Sequence, residues 1–382
     1  MIEEESMRKQ LSVESVTKPG SLRAWSVRLL LLSGLVMLTS CQRPLTVLVG
    51  PEGVHLKAGI EDAVASTSGQ GKIQIEAEGA KWPGGPVLRL TTTPGWNLPA
   101  GIGPAVSVPA DWDATYSPPE ALAALGISKN GSWSSVPILY DVWGQTSFAE
   151  KQAKPLPPGD WRGLRKGTAR SSLSVAGSRP SFRQTAYLLE LFPDIPAQSE
   201  AASWFDQAAS RWKAPSAVLP SIVTEPAWGQ NAWFFGRGDQ AMSYKQGKPL
   251  VFLETFRDYE STNVPGVRRF VPLDSRQGGK GYAMAGTVLF MEYRGDERGL
   301  EAALPLMRAL AGNEFQKRAG MTGGWLAVNR TAPEIDGTGA MIRRLVAGAR
   351  RFFPVTDRLP DPLVEGSLWV DVQLAVDSAP RK

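Results

Sequence analysis

Cysteine and histidine are nearly absent from this 382-residue chain, which has one of each: Cys41 and His55. A single thiol forms no intrachain disulfide, so the core alone must hold the fold. A zinc site of the usual His- and Cys-rich kind is excluded. A Ser-His-Asp triad would have to use His55, and no Gly-x-Ser-x-Gly elbow occurs. Asp111 and Asp113 are two residues apart on one loop, so they cannot flank a glycosidic bond from opposite sides. Long apolar runs are missing too. The stretch 29–38, broken by Ser33 and Gly34, is well short of the roughly 20 residues a membrane-spanning helix needs. Charge is close to balanced, with 42 Lys and Arg against 37 Asp and Glu for a net +5. Basic pairs such as Arg343-Arg344 and Arg350-Arg351 are scattered, as on a solvated face, so no nucleic-acid partner is expected. What the chain has in quantity is tryptophan, 13 in all, a residue that often lines interfaces and ligand grooves.

Arg23 and Arg28 precede the apolar stretch, and Leu38-Thr39-Ser40-Cys41 closes it. Charged, apolar and small-residue regions in that order make an export signal. The Leu-Thr-Ser-Cys ending resembles a bacterial lipobox. That resemblance implies a lipoprotein signal peptide over 1–40, lipidation of Cys41, and a membrane-anchored protein facing the periplasm or the cell exterior.

Periodicity organises the rest. Strands are expected over 46–50, 72–77, 86–92, 105–108, 133–143 and 249–253, and a strand-like stretch over 172–176. Helices are expected over 58–66, 121–125, 184–191 and 200–212. Pro118-Pro119-Glu120 opens the helix at 121 with proline and an acid in its first turn. The stretch 93–104, rich in Gly and Pro, reads as loop, 154–160 as a proline-rich linker and 379–382 as a loose tail. The clearest amphipathic helix runs over 299–318, with Leu300, Ala303, Leu304, Met307, Leu310, Ala311 and Phe315 on one stripe. Strands alternating with helices predict α/β layers around parallel or mixed sheets.

Four segments, in order, carry a further signal. They are Ser134-Ser-Val-Pro-Ile-Leu-Tyr-Asp-Val-Trp-Gly144, Pro158-Gly-Asp-Trp-Arg-Gly-Leu164, Trp233-Phe-Phe-Gly-Arg-Gly-Asp-Gln-Ala-Met242, and the run from Gly278-Gly-Lys-Gly-Tyr282 through the amphipathic helix to Gly323-Gly-Trp-Leu-Ala-Val-Asn329. Together they resemble the large two-lobed solute-binding proteins of bacterial ABC importers, in the carbohydrate-binding group. Asp160 stands where that family usually has threonine, and Ala327 where it usually has proline. The region 45–103 fits the pattern less well.

The resemblance implies an α/β, periplasmic-binding-protein-like fold of type II, with lobes joined by crossover strands. Lobe one would take 41–138 plus 279–322, and lobe two 142–275 plus 327–377. Crossovers would lie at 139–141, near 277–279 and near 323–326. Ligand would sit between the lobes, where aromatic faces meet sugar rings and Asp, Arg and Trp N–H groups meet hydroxyls. The implied ligand-binding residues are Asp111, Trp112, Tyr140, Asp141, Trp143, Arg179, Trp228, Tyr282 and Trp325. Trp233 and Phe235 fall in a segment that the family packs as a helix, and are expected in the core of lobe two. His55 is expected to be an ordinary loop histidine.

The implied protein is no enzyme and uses no metal or cofactor. It is a monomer that captures a solute of the carbohydrate class and delivers it to ABC permease subunits. Two other readings stand beside this one: a sensory or structural lipoprotein on the same fold, and a carbohydrate-active enzyme.

Overall fold

The computed structural model describes residues 44–67, 74–77, 84–96, 98, 100–128, 130–148, 174–178, 200–212, 232–235, 250–261, 268–276, 282–333 and 337–355. The expected signal and Cys41, the linker 154–160, the helix 184–191 and the tail 379–382 lie outside them. Fourteen described strands occur in chain order: β1 (Thr46–Val49), β2 (Gln74–Ala77), β3 (Val87–Thr91), β4 (Val136–Tyr140), β5 (Trp143–Phe148), β6 (Ser174–Ser178), β7 (Ala232–Phe235), β8 (Leu250–Thr255), β9 (Arg268–Pro272), β10 (Asp274–Arg276), β11 (Tyr282–Gly286), β12 (Val288–Arg294), β13 (Leu326–Ala327) and β14 (Arg351–Pro354).

They form three sheets. A six-stranded sheet has the order β13-β4-β12-β3-β1-β2, a five-stranded sheet the order β7-β6-β8-β5-β9, and a small sheet the order β10-β11-β14. The first two are mixed: β1 runs parallel to β2 and β3, and β6 runs parallel to β7 and β8, whereas β12 and β5 enter antiparallel. β1 and β3 are buried at every position, which explains why they read as apolar runs rather than alternating ones.

The chain changes sheet at sharp points. The stretch 133–143, expected as one strand, is two: β4 belongs to the six-stranded sheet and β5 to the five-stranded one. Between them Asp141 turns the chain. Its backbone N–H donates to Thr287 O at 2.8 Å, and its Oδ1 accepts from Val142 N at 2.8 Å. The return passage leaves β11 at Gly286 and enters β12 at Val288. A Cβ on Gly286 would overlap the Asp141 carbonyl oxygen, so the two passages touch only because residue 286 has no side chain. Residues 277–281, where a glycine crossover was expected, lie outside the described chain.

The long amphipathic helix is also two. Glu297–Ala311 begins at Asp296, whose side chain accepts from Gly299 N at 2.7 Å, an N-cap in the usual sense. It ends at Gly312 in extended backbone, and a second helix, Asn313–Gly323, starts there. Gln316, fully buried, explains the break. Its Nε2 donates to the orphan carbonyl of Ala311 at 2.8 Å, and its Oε1 accepts from Asn329 N at 2.9 Å. The first helix buries Leu300, Ala303, Leu306, Met307, Leu310 and Ala311, and Phe315 is buried on the second. Leu306, not the expected Leu304, completes the fully buried stripe.

Two further expectations are corrected. The segment of Trp233 and Phe235 is a strand, β7, on the edge of the five-stranded sheet, and not a helix. Three aromatics in four residues favour pleated backbone. The stretch 105–108 makes only isolated bridges, Ala105 with Arg294 and Val108 with Trp133.

The loop 93–104 is held from beneath by a buried ionic cluster. Glu292 accepts from Arg89 at 3.3 Å and from Arg294 at 2.7 Å, and takes the N–H of Gly95 at 2.9 Å. Arg89 Nη1 also donates to the carbonyls of Thr93 and Trp96, both at 3.2 Å, and Arg294 Nη1 donates to Gly103 O. Glu292 lies on β12 and Arg89 on β3, opposite each other in the ladder.

Candidate functional site

A cavity of about 490 Å³ opens where the first two sheets meet. Small-molecule sites commonly span roughly 300–1,000 Å³, and in open α/β sheets they sit beyond the carboxyl ends of the strands. Four pieces of chain build it. β1 ends at Gly50-Pro51 and passes into a 3-10 helix, Pro51–Leu56, which supplies Glu52 and His55. The helix Asn313–Gly323 delivers its last turn, with Gly324 in the left-handed region at φ 66° to end it. The crossover supplies Asp141 and Trp143. The end of β8 and the short helix Phe256–Ser261 supply Thr255, Arg257, Asp258 and Glu260.

Three of these pieces meet through one side chain. Arg257 Nε donates to Gly323 O at 2.9 Å, its Nη2 reaches His55 Nε2 at 3.1 Å, and its guanidinium lies 4.1 Å above the Trp325 ring. Trp325 Nε1–H donates to the same His55 nitrogen at 2.7 Å, and the two rings lie nearly parallel, 9° apart. Indole and guanidinium N–H groups only donate. Nε2 must therefore accept from both, and the imidazole proton sits on Nδ1. Burial, reinforced by the Arg257 charge, lowers the His55 pKa to about 4, so the ring is neutral at physiological pH. The expected ordinary loop histidine is instead a bonded wall of the cavity. The lone histidine could not signal this, because both partners are remote in sequence.

Asp141 is 2% exposed. Its Oδ1 also accepts from Arg257 N at 3.2 Å, and the Thr255 hydroxyl bonds its carboxyl. Burial nevertheless raises its pKa to about 7, with the Arg257 charge and these hydrogen bonds pulling the other way. Trp143 is equally buried on the same wall, and its Nε1–H has no acceptor among the described residues.

Of the residues named from sequence, Asp141 and Trp143 line this cavity together. Trp325 supports it from behind, through His55, and lines a smaller hollow of about 40 Å³. Tyr140, one step along the strand, points the other way and packs edge-on against Phe352 in a shared core, where burial pushes its phenol pKa up. Trp112 is in the core under the six-stranded sheet, tilted against Tyr116, and its carbonyl accepts from Arg308. Asp111 is exposed beside it. Arg179, Trp228 and the side chain of Tyr282 lie outside the described residues; the backbone of Tyr282 opens β11.

The reading from sequence missed Glu52, Arg257, Asp258 and Glu260. A signal was present: the apolar strand ending at Leu253 runs into the polar stretch 254–261, and the carboxyl end of a strand is where α/β sheets place ligands. Among the described residues no group of three or more His, Cys, Asp or Glu is placed to hold a metal ion, and no helix is long and apolar enough to cross a membrane.

No family model and no curated protein matches the chain. Solved structures do match. The bacterial solute receptor AcbH, described as having an exclusive preference for β-D-galactopyranose, is 12% identical with a TM-score of 0.58, over 87% of this chain and 94% of its own. Maltose-bound MalE3 of T. maritima is 12% identical with a TM-score of 0.54, over 87% and 95%. A protein of Streptomyces coelicolor, named a probable secreted solute-binding lipoprotein, is 13% identical with a TM-score of 0.53, over 89% and 99%. The likeness establishes the fold: two α/β lobes of the periplasmic-binding-protein type, joined by crossover strands.

Proposed function

We propose that this chain is a substrate-binding protein of an ABC importer, which captures a small carbohydrate between its lobes and presents it to membrane permease subunits. The observation that carries this reading is the cavity at the crossover, which Asp141 and Trp143 both line and where the buried Trp143 N–H has no acceptor among the described residues. A buried donor left unbonded costs free energy that a ligand oxygen recovers. The fold supports the same reading, since closure about crossover strands lets a few residues carry a large change of shape. The protein does no chemistry on its ligand. Lipidation of Cys41 tethers it near its permease, which raises the effective concentration of captured solute there.

The test is a titration of the purified protein with a panel of sugars, followed by Trp fluorescence, with the ligand then recovered. Saturable binding with the sugar unchanged supports capture; a hydrolysed or modified product overturns it. For the tether, Cys41→Ala releases the protein from membranes, and unchanged partitioning sinks that part of the proposal.

A further inference from the structure

Arg257 is anchored by its backbone on one wall of the cavity and bonded by its side chain to the other. Its backbone N–H donates to Asp141 Oδ1 at 3.2 Å, and the N–H of Phe256 beside it donates to Val142 O at 2.9 Å. These bonds fix the start of the helix Phe256–Ser261 to the crossover, and Phe256 packs edge-on against Phe270 of β9. That wall belongs with the five-stranded sheet. The guanidinium donates to Gly323 O, reaches His55 Nε2 and covers the Trp325 ring. His55 stands on the 3-10 helix after β1. The helix ending at Gly323 buries Phe315 and Ala319 in the core shared with β1 and β3. One side chain therefore ties together the walls that the two sheets supply.

The end of the helix Asn313–Gly323 is shaped to receive it. Gly324 has left-handed backbone, and a Cβ there would stand 3.2 Å from Arg257 Cα. A Cβ on Gly323 would come within 2.7 Å of the His55 ring. The two glycines let Arg257 and His55 approach this point closely. The chemistry suits arginine in particular. A planar guanidinium aims N–H groups at two acceptors while its face covers an indole, and the compact ammonium of lysine has no such face. Each of these bonds joins protein groups, so the tie does not depend on which solute fills the cleft. Walls held at a fixed separation leave less of the binding free energy to be consumed by closure.

Building on the reading of this cleft as a solute site, we infer that Arg257 is its positioning residue: a latch between the wall after β1 and the wall after β8 that sets how much of the protein holds the binding-competent arrangement.

The first measurement needs no solute. Glu301 and Arg269 are exposed, the one on the helix packed under the six-stranded sheet and the other on β9. Glu301→Cys and Arg269→Cys, made in the full chain with Cys41→Ala, carry spin labels, and pulsed EPR reads the distance between them. With Arg257 in place a single narrow distance is expected. Arg257→Gln and His55→Ala, each shown by circular dichroism to be folded, broaden it towards longer values, and the double variant adds little to Arg257→Gln alone. Arg257→Lys follows Arg257→Gln. The second measurement is calorimetric titration with galactose and with maltose. Affinity for either sugar that the native protein binds falls roughly fivefold or more in Arg257→Gln, by the same factor for both. Unchanged distances in folded Arg257→Gln overturn the latch and leave sugar capture standing. Unequal losses for the two sugars with unchanged distances overturn it as well, and make Arg257 a direct contact of the solute. Shifted distances in a protein that binds no sugar overturn sugar capture and leave the latch.

Discussion

The indole N–H of Trp325 donates to Nε2 of His55 across 2.7 Å, joining residues 270 positions apart. With Arg257 donating to the same nitrogen, the bond sets the tautomer of the only histidine and pins the 3-10 helix after β1 to the chain just beyond the helix Asn313–Gly323.

That histidine makes a pH prediction with a definite sign. Its folded pKa, about 4, lies below the ordinary histidine value of 6.5. Above pH 6.5 both folded and unfolded chains hold it neutral. Between there and pH 4 the unfolded chain gains the proton and the folded chain does not, so stability falls as pH falls through this window. The urea midpoint is expected to drop more between pH 7.5 and 4.5 in the native protein than in His55→Gln. Equal drops refute the prediction. A long-range proton–nitrogen NMR spectrum, unambiguous for a single histidine, should show the proton on Nδ1.

Asp141 predicts the opposite slope. Its folded pKa, about 7, lies above the ordinary aspartate value of 3.8. The folded chain keeps a proton that the unfolded chain releases between these values, so this contribution to stability is lost as pH rises through 7. Asp141→Asn keeps the acceptor for Val142 and Arg257 N–H and removes the titration. Relative to the native protein, it should gain on the order of 1–3 kcal/mol between pH 4 and pH 8, measured by urea unfolding.

Trp143 separates packing from binding. Trp143→Ala is expected to weaken ligand binding by about 1–3 kcal/mol through lost stacking, as with aromatic platforms under nucleic-acid bases, and to destabilise a residue site that is 2% exposed. Trp143→Phe keeps an aromatic ring but removes the N–H. Calorimetry should then show affinity down by about 1 kcal/mol with little change in melting temperature. Unchanged affinity in both variants would move Trp143 out of the site.

Glu292→Gln tests the buried cluster. The change leaves the guanidiniums of Arg89 and Arg294 in the core without their shared carboxylate. Removing one partner of a buried ionic group costs about 3–5 kcal/mol. Thermal unfolding should show that loss, and proteolysis should cut the loop 93–104 sooner, since Glu292 holds Gly95 and Arg294 holds Gly103. A loss below about 1 kcal/mol would show that the cluster is not what holds the loop.

Gly286→Ala tests the crossing point. Its Cβ would overlap the carbonyl oxygen of Asp141 and press on Phe352 at 2.8 Å. Overpacking of this kind costs roughly 1–3 kcal/mol or more, because backbone must move. Native-like urea stability in Gly286→Ala would refute the close approach.

The fold was legible from sequence to the extent that its signals are local. Thr46-Val-Leu-Val reads as a buried strand from four residues, and the stripe from Leu300 to Ala311 reads as a helix from its own spacing. The break at Gly312 was not legible. It depends on Gln316 reaching back to Ala311 and across to Asn329, and a helical stripe continues through Phe315 with or without that bond. The same limit applied at the site. Asp141 and Trp143, which line the cavity, could be named from sequence because they flank a crossover whose sequence is distinctive. Arg257 was missed because its worth lies in three partners on other elements.

By itself the sequence determined the alternation of strands and helices, the lack of any disulfide, and the resemblance to two-lobed binding proteins. Each is a matter of composition or of contacts within a few residues, where strand and helix periods are written directly in the chain. Only the tertiary structure decided which tryptophans meet the cleft, which residues of the 254–261 stretch line it, and that the one histidine is a hydrogen-bonded wall. Those facts depend on pairs such as His55 with Trp325 and His55 with Arg257, 270 and 202 positions apart, and no local period records a contact made between such distant elements.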